Sequence, residues 1–444
     1  MNEPNIKIGI LSAQEINFEL YGDFNINGIN KRESGKFTAW QQNDRVMISK
    51  DGVEIHSAAE VIFRPEDFEI ESFLIRNVVI GKQFHWERKE NQRFRGILKI
   101  IKEKNLLTAI NIIPLEEYLV SVISSEMSPN SSPELLKAHA IVSRGWLLAQ
   151  LEKRNKKEKR KSVNETAADT EIIRWYDRDD HSNYDFCADD HCQRYQGVTK
   201  IINDSALNAA DSTRGLVLIY DNKICDTRFS KCCGGMTESF ENVWEPVKHN
   251  YLSPVTDYKF ELNGVDYDLT NNKLAEQWIR SNPHAYCNTN DPRILSQILI
   301  DFDRATTNFF RWNVEYTQEE ISGIIKEKSG IDFGRIKDLI PLIRGYSGRI
   351  IKLVIVGEKK EIIIGKELEI RKTLSKSHLY SSAFFVEKKN IAAGFPQSFI
   401  LHGAGWGHGV GLCQIGAAVM GEKGYKFDEI LIHYFNGAKI QKIY

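Results

Sequence analysis

Through much of the first 108 residues, short apolar runs such as Ile6-Lys7-Ile8-Gly9-Ile10 and Val46-Met47-Ile48 are separated by Gly and Asn turns. A side-chain period of two predicts strands with one buried face. Arg93 to Ile113 reads as a hairpin turning near Glu103-Lys104-Asn105. Nothing in this region has catalytic spacing, so it reads as a scaffold or as a glycan- or partner-facing module. At Leu115 the period changes. Leu115, Leu119, Val122 and Glu126 follow at helical spacing, with Pro114 in the opening turn and Glu116 and Glu117 at the positive end of the helix dipole. This helix is expected to break at Met127-Ser128-Pro129. A second should start at a capping box, Ser131-x-x-Glu134, with Pro133 in its first turn, and carry Lys137, Ile141, Arg144 and Leu148 on one face.

Further along, Gly215 to Tyr220 and Asp226 to Phe229 read as strands flanking Asp221-Asn222. Residues 247 to 345 mix helix and loop, with helices at Lys273 to Arg280 and Gln318 to Lys328, and strands return at 349 to 356 and 361 to 364. The predicted fold class is α+β: mixed β-sheets, a helical element ending in Glu126, and a Gly-rich C-terminal loop leading into a helix. A β-rich N-terminal region, 1 to 105, precedes a domain spanning 106 to 444, with the helix and loop stretch at about 247 to 345 as an insertion in it.

Glu126 is the first chemical candidate. It continues an apolar stripe and sits where the helix dipole disfavours negative charge, a placement that suits a proton donor. The alternative is a helix-end carboxylate paired with Lys137 or Arg144. Cys187, His191 and Cys192 lie within six residues, with His181 nearby. Two thiolates and an imidazole suit zinc, leaving a fourth position for water, substrate or another side chain, and a disulfide between the two cysteines is the competing reading. Adjacent Cys232 and Cys233 lack a local His-Asn arrangement and read as packed or paired cysteines. The segment 399 to 417 alternates glycines around Trp406 and His408, a backbone able to present an imidazole and an aromatic face. The basic run 153 to 161 reads as a solvated helix end.

Composition narrows the class. The 444 residues are 42% hydrophobic and 27% charged, enough for a folded core, and a net charge of −1 gives no nucleic-acid footprint. No apolar run reaches membrane-spanning length, and the N-terminus has neither a basic region nor a long apolar one, so neither a transmembrane segment nor a signal peptide is expected. Seven cysteines is an odd number, which leaves at least one free or acting as a ligand.

Several motifs occur in order: Leu115-Glu116-Glu117-Tyr118-Leu119, Ser125-Glu126-Met127, Leu136-Lys137-Ala138-His139-Ala140, Ser143-Arg144, Cys187 with His191-Cys192, and Gln193-x-Tyr195-x-Gly197. Cys233-Gly234-Gly235-x-Thr237, Ser347-Gly348-Arg349 and Gly405-Trp406-Gly407-His408-Gly409-Val410-Gly411 with Gln414 complete the set. Over roughly residues 93 to 440 this pattern resembles the SpoIID/LytB family. The resemblance implies a peptidoglycan lytic transglycosylase, with Glu126 as catalytic acid and base and peptidoglycan glycan strands, in some members stripped of stem peptides, as substrate. It implies substrate-binding roles for Lys137, Arg144, Thr237, Trp406, His408 and Gln414, and zinc at Cys187, His191 and Cys192. A cell-envelope location follows from that substrate, against the N-terminus as it stands. One departure is Ser143-Arg144-Gly145-Trp146, where the family usually has Ala-Arg-Thr-Tyr. Two alternatives stand beside the enzyme. One is a non-catalytic glycan-binding module that enhances a cell-wall amidase. The other is a hydrolytic muramidase drawing a second carboxylate from the loop Asp177 to Asp190.

Overall fold

The alternating N-terminal pattern becomes ten strands in the computed structural model, which describes residues 2–81, 87–128, 130–155, 165–168, 170–174, 181–189, 191–259, 268–298 and 306–444. The strands are β1 (Asn5–Ala13), β2 (Glu15–Ile26), β3 (Arg32–Gln42), β4 (Arg45–Lys50), β5 (Val53–Ala58), β6 (Glu60–Pro65), β7 (Ser72–Ile80), β8 (Arg88–Phe94), β9 (Ile97–Glu103) and β10 (Leu106–Pro114). With the short strand Phe186–Cys187 they form one sheet, ordered Phe186–Cys187, β1, β10, β9, β6, β2, β3, β4, β5, with β7 bridging β2 and β8. Ile6, Ile8 and Ile10 point inward from β1 as the period of two requires. Phe18, Phe37 and Phe63 from three strands pack with ring centroids 5.0 to 6.2 Å apart. The β9–β10 hairpin turns at Lys104 and Asn105, Lys104 taking the left-handed φ of 57°.

Contacts divide the chain into two units: Met1–Pro129 with Asp179–Leu216 and Lys442–Tyr444, and Asn130–Arg178 with Val217–Gln441. The first holds the sheet and helix α1 (Leu115–Glu126), which β10 enters without a loop, Pro114 (φ −57°) standing at the N-cap. The second opens with helix α2 (Pro133–Asn155). The expected cap at Ser131 is displaced by one residue. Pro133 occupies the first helical position, so Ser132 caps and its hydroxyl accepts the Leu135 N–H at 3.3 Å. Ser131 instead donates to the Gln297 carbonyl, while Glu134 accepts from Phe427 N–H and pairs with Lys137.

In the second unit, Glu361–Gly365 is the middle of a five-stranded sheet ordered Glu165–Ala168, Glu171–Arg174, Glu361–Gly365, Ile350–Gly357, Ile336–Arg344. A separate sheet places Ser398–Ala404 between Arg311–Thr317 and Phe384–Lys389. The stretch 247 to 345 is therefore more than helix and loop, since it supplies one strand to each sheet. Pro341 and three register shifts interrupt Ile336–Arg344 and obscure its pattern, whereas Arg311–Thr317 does alternate, with Trp312, Val314 and Tyr316 less exposed than Asn313, Glu315 and Thr317 between them. The expected helices do form, at Asn272–Arg280 and Gln318–Ser329. Asp221 and Asn222 both take positive φ (49° and 58°), the tight turn that joins Leu216–Tyr220 to its partner. That partner is Lys223–Ile224, two residues long; Phe229–Ser230 leaves to pair in parallel with Leu412–Cys413. Most of the basic run 153 to 161 lies outside the described residues.

The mid-section of α2, from Ala138 to Gln150, is buried all round, so a titratable residue there bears the full cost of burial. His139 is fully buried beside Phe229, and desolvation, helped by the Lys231 charge, pushes its imidazole down to about 3. The unfolded chain takes up that proton near 6.5 and the folded chain does not until about 3. The stabilising contribution is thus complete at neutral pH and is lost as pH falls through that window. His139 alone should cost about 2 kcal/mol at pH 5 relative to pH 7.5. Denaturant melts at the two pH values test this, and His139→Leu should show a shallower pH dependence than wild type.

Candidate active site and metal cluster

Glu126 is the last residue of α1, and the helix stops there because Met127 turns to extended backbone (φ −124°, ψ 153°) after its N–H bonds to the Ile123 carbonyl. Leu115, Leu119 and Val122 are buried as expected, and Glu126 continues their stripe at 8% exposure. Its Oε1 accepts the backbone N–H of Arg194 at 3.3 Å. Two further contacts tie the Arg194 segment to α1. The Tyr118 ring stacks on Tyr195 at 4.9 Å and 14°, and its hydroxyl donates to Gln193 Oε1. Tyr195 in turn stacks against Phe94 and donates to Asn111 of β10. The carboxyl is thereby held from both the helix and the 193–195 segment.

The same segment leads straight out of the cysteine–histidine cluster. Phe186–Cys187 pairs in parallel with Ile8 and Gly9 of β1, fixing where Cys187 emerges. Gly9 is needed there: a Cβ would lie 2.6 Å from the Tyr184 ring, and Tyr184 stacks on His181 at 4.4 Å. His191 Nδ1 lies 3.8 Å from Cys187 Sγ and 3.6 Å from Cys192 Sγ, and His181 Nε2 lies 3.7 Å from Cys192 Sγ. All four donor atoms fall within 4.8 Å of one another. The fourth position left open by the spacing is thus taken by His181, six residues before Cys187. No disulfide joins Cys187 and Cys192. The Cys192 thiol foremost, then His181 and His191, hold Cys187 far below the usual thiol range against the opposing effect of burial. Two thiols and two imidazoles fit a tetrahedral zinc, and a set closed by four protein donors is the pattern of a structural centre.

The remaining expected residues belong to the second unit. Lys137 pairs with Glu134 at 3.0 Å and Arg144 is fully buried in α2. Thr237 is buried, its hydroxyl accepting the Val255 N–H at 2.8 Å. Trp406 sits between Phe309 and Tyr380, at 4.6 and 4.4 Å, and its backbone pairs with Cys232. His408 Nδ1 accepts the Val410 N–H at 3.0 Å and the ring meets Trp244 edge-on. Burial, reinforced by the Arg228, Arg349 and Arg371 charges, keeps this imidazole neutral, its value well below 6.5. Gln414 is the first residue of the helix Gln414–Glu422 and is buried. The glycine segment is ordered from beneath by Arg349, which is 1% exposed and donates to the Gly407 and Cys233 carbonyls and to Ser347 Oγ. Gly409 makes that possible, since its Cβ would lie 2.4 Å from the guanidinium. His408 and Trp406 are accordingly fixed parts of a packed segment. Part of the acidic loop Asp177 to Asp190 lies outside the described residues.

Two family models match the chain. One, described as Stage II sporulation protein (SpoIID), covers residues 103–220; the other, described as Domain of unknown function (DUF8618), covers 238–411. Stage II sporulation protein D of Bacillus amyloliquefaciens and that of Bacillus subtilis are each 24% identical over 334 residues, 75% of this chain and 76% of each relative. An uncharacterized protein of Brachyspira hyodysenteriae is 26% identical over 353 residues, 78% of this chain and 72% of that protein.

The four-donor cluster predicts that His181 is as necessary as the three residues closer together in sequence. His181→Ala should weaken zinc binding by about a hundredfold or more, read by competition with a chromophoric chelator. Unchanged affinity would return the site to three protein donors and an open position.

Proposed function

We propose that this chain, which carries a SpoIID-family domain over residues 103–220, is a lytic transglycosylase acting on peptidoglycan glycan strands. The observation that carries the reading is that Glu126 and all four cluster residues fall inside that matched segment, with Glu126 buried at a helix end and gripped by the Arg194 N–H. In the proposed reaction the Glu126 carboxyl donates its proton to the oxygen bridging N-acetylmuramic acid and N-acetylglucosamine. The C1–O bond breaks and the N-acetylglucosamine end leaves as an alcohol. Glu126, now a carboxylate, takes the proton of the muramic C6 hydroxyl as that oxygen bonds to C1. The product is a 1,6-anhydro ring, no water is consumed, and one carboxyl serves both proton transfers.

The chemistry of the proposal rests on Glu126. Cys187, Cys192, His181 and His191 would hold zinc as a strut that fixes the start of the 193–195 segment, the segment that contacts Glu126. The metal would supply rigidity and local charge. Lys137, Arg144, Thr237, Trp406, His408 and Gln414 enter as candidates for sugar binding, to be read from KM separately from kcat. The substrate places the protein in the cell envelope, and among the described residues no helix is long and apolar enough to cross a membrane.

Mass spectrometry of products from intact peptidoglycan and from peptide-stripped strands tests the proposal. Wild-type protein should generate anhydro-muramic ends, and Glu126→Gln, confirmed as folded by circular dichroism, should lose at least about a hundredfold in rate. Reducing ends would indicate hydrolysis instead. No cleavage by wild type on either substrate would leave a glycan-binding or amidase-enhancing role.

A further inference from the structure

Outside the cluster beside α1, four side chains of the second unit converge that no local spacing connects: Cys233, Asp257, Cys287 and Cys413. All are buried, at 0 to 2% exposure. Cys233 and Cys287 bring their sulfurs to 3.6 Å. Cys413 Sγ accepts the Cys233 N–H at 3.2 Å. Asp257 Oδ2 accepts the Cys287 N–H at 2.7 Å, and Oδ1 accepts the Tyr434 hydroxyl at 2.6 Å. One potential donor atom from each residue lies within 4.8 Å of the other three.

We propose that Cys233, Cys287, Cys413 and Asp257 form a second, structural zinc site, with three thiolates and one carboxylate as ligands.

Three observations support it. The spacing is right: sulfurs at the corners of a tetrahedron with Zn–S bonds of about 2.3 Å lie about 3.8 Å apart, close to the 3.6 Å between Cys233 and Cys287. A disulfide bond is only about 2.05 Å long, no disulfide is present, and one between Cys233 and Cys287 would leave Cys413 and Asp257 without a role. Finally, Asp257 is a fully buried carboxyl with no cation paired to it among the described residues, an arrangement that is costly for its charged form unless a positive ion is supplied. The Tyr434 hydroxyl and the Cys287 N–H orient the carboxyl, the kind of support that metal-ligating carboxylates receive from their surroundings.

The fold explains the assembly. Cys413 ends the short strand Leu412–Cys413 beside Phe229–Ser230, and Cys233 directly follows Cys232, whose backbone bridges to Trp406. Asp257 is positioned by its N–H bond to the Gly235 carbonyl. A metal here would pin the 233–235 turn, the 257 and 287 loops and the start of the helix Gln414–Glu422 to one point. With four protein donors it has no open position for a substrate.

The test uses the 444-residue chain with Cys187→Ser and Cys192→Ser, which removes both thiolates of the first cluster and leaves this one intact. After zinc loading and gel filtration, elemental analysis should find one zinc per chain, and cobalt substitution should give the sulfur-to-metal charge-transfer absorption of a tetrahedral thiolate site. No bound metal, with the five remaining cysteines titrating as ordinary thiols after denaturation, would overturn the proposal, as would a Cys233–Cys287 disulfide found by peptide mapping. Wild-type protein provides a readout that needs no variant. Chelation of zinc-loaded chain should raise alkylation of Cys233, Cys287 and Cys413 at least tenfold, and an unchanged pattern at these three would equally sink the idea.

Discussion

The stack of Tyr118 on Tyr195 is the contact that ties together the two sides of the Glu126 site in the first unit. It joins a helix that follows directly from the long sheet to a segment that follows directly from the cysteine–histidine cluster. Together with the Tyr195–Asn111 and Tyr118–Gln193 hydrogen bonds, it sets the segment from which the Arg194 N–H meets Glu126. Aromatic stacking suits the task, because it combines large burial with a defined ring geometry. Tyr195 extends the same stack to Phe94 of the sheet, so the candidate acid is referenced to the most extensive element of the unit.

The second unit solves a related problem with charge. Arg349 is buried and distributes its donors over two backbone carbonyls and a serine hydroxyl. These bonds, made through Nε and Nη1, offset part of the cost of burying a guanidinium, while Nη2 has no hydrogen-bond partner among the described residues. Glu238 takes up the Ser347 N–H and hydroxyl on the other side, and its own N–H bonds to the Gly409 carbonyl. The glycines of 405 to 411 form a tight backbone that serves close packing, leaving room for the guanidinium at Gly409 and for the Arg228 carbonyl at Gly411, where a Cβ would approach to 2.2 Å, while Trp406 and His408 stay partly exposed.

Local patterns in the chain carried a good deal. The α+β class, the hairpin ending in β10, the helix that terminates at Glu126 and the proximity of Cys187, His191 and Cys192 all arise from neighbours in sequence. Each follows from backbone periodicity or short-range spacing, and both survive folding unchanged. The start of α2 was legible to within one residue, with Pro133 deciding between two adjacent serines. The strand Ile336–Arg344 was hidden because its partner, not its own alternation, makes it a strand, whereas Arg311–Thr317 carries a period of two in Trp312, Val314 and Tyr316.

Tertiary structure decided which groups meet. His181 completes the first cluster because Tyr184 stacks against it over Gly9, a residue more than 170 positions away in the chain. Cys233 and Cys413 are 180 residues apart, and no motif can announce a pair at that distance. The adjacent cysteines at 232 and 233 read as packed or paired, and only folding shows which partners surround them. The sequence by itself determined most element types, though not the strands within 247 to 345, and one carboxyl at a helix end. Hydrogen-bond partners, donor sets and burial depend on long-range contacts, whose identity emerges only when distant segments are packed together.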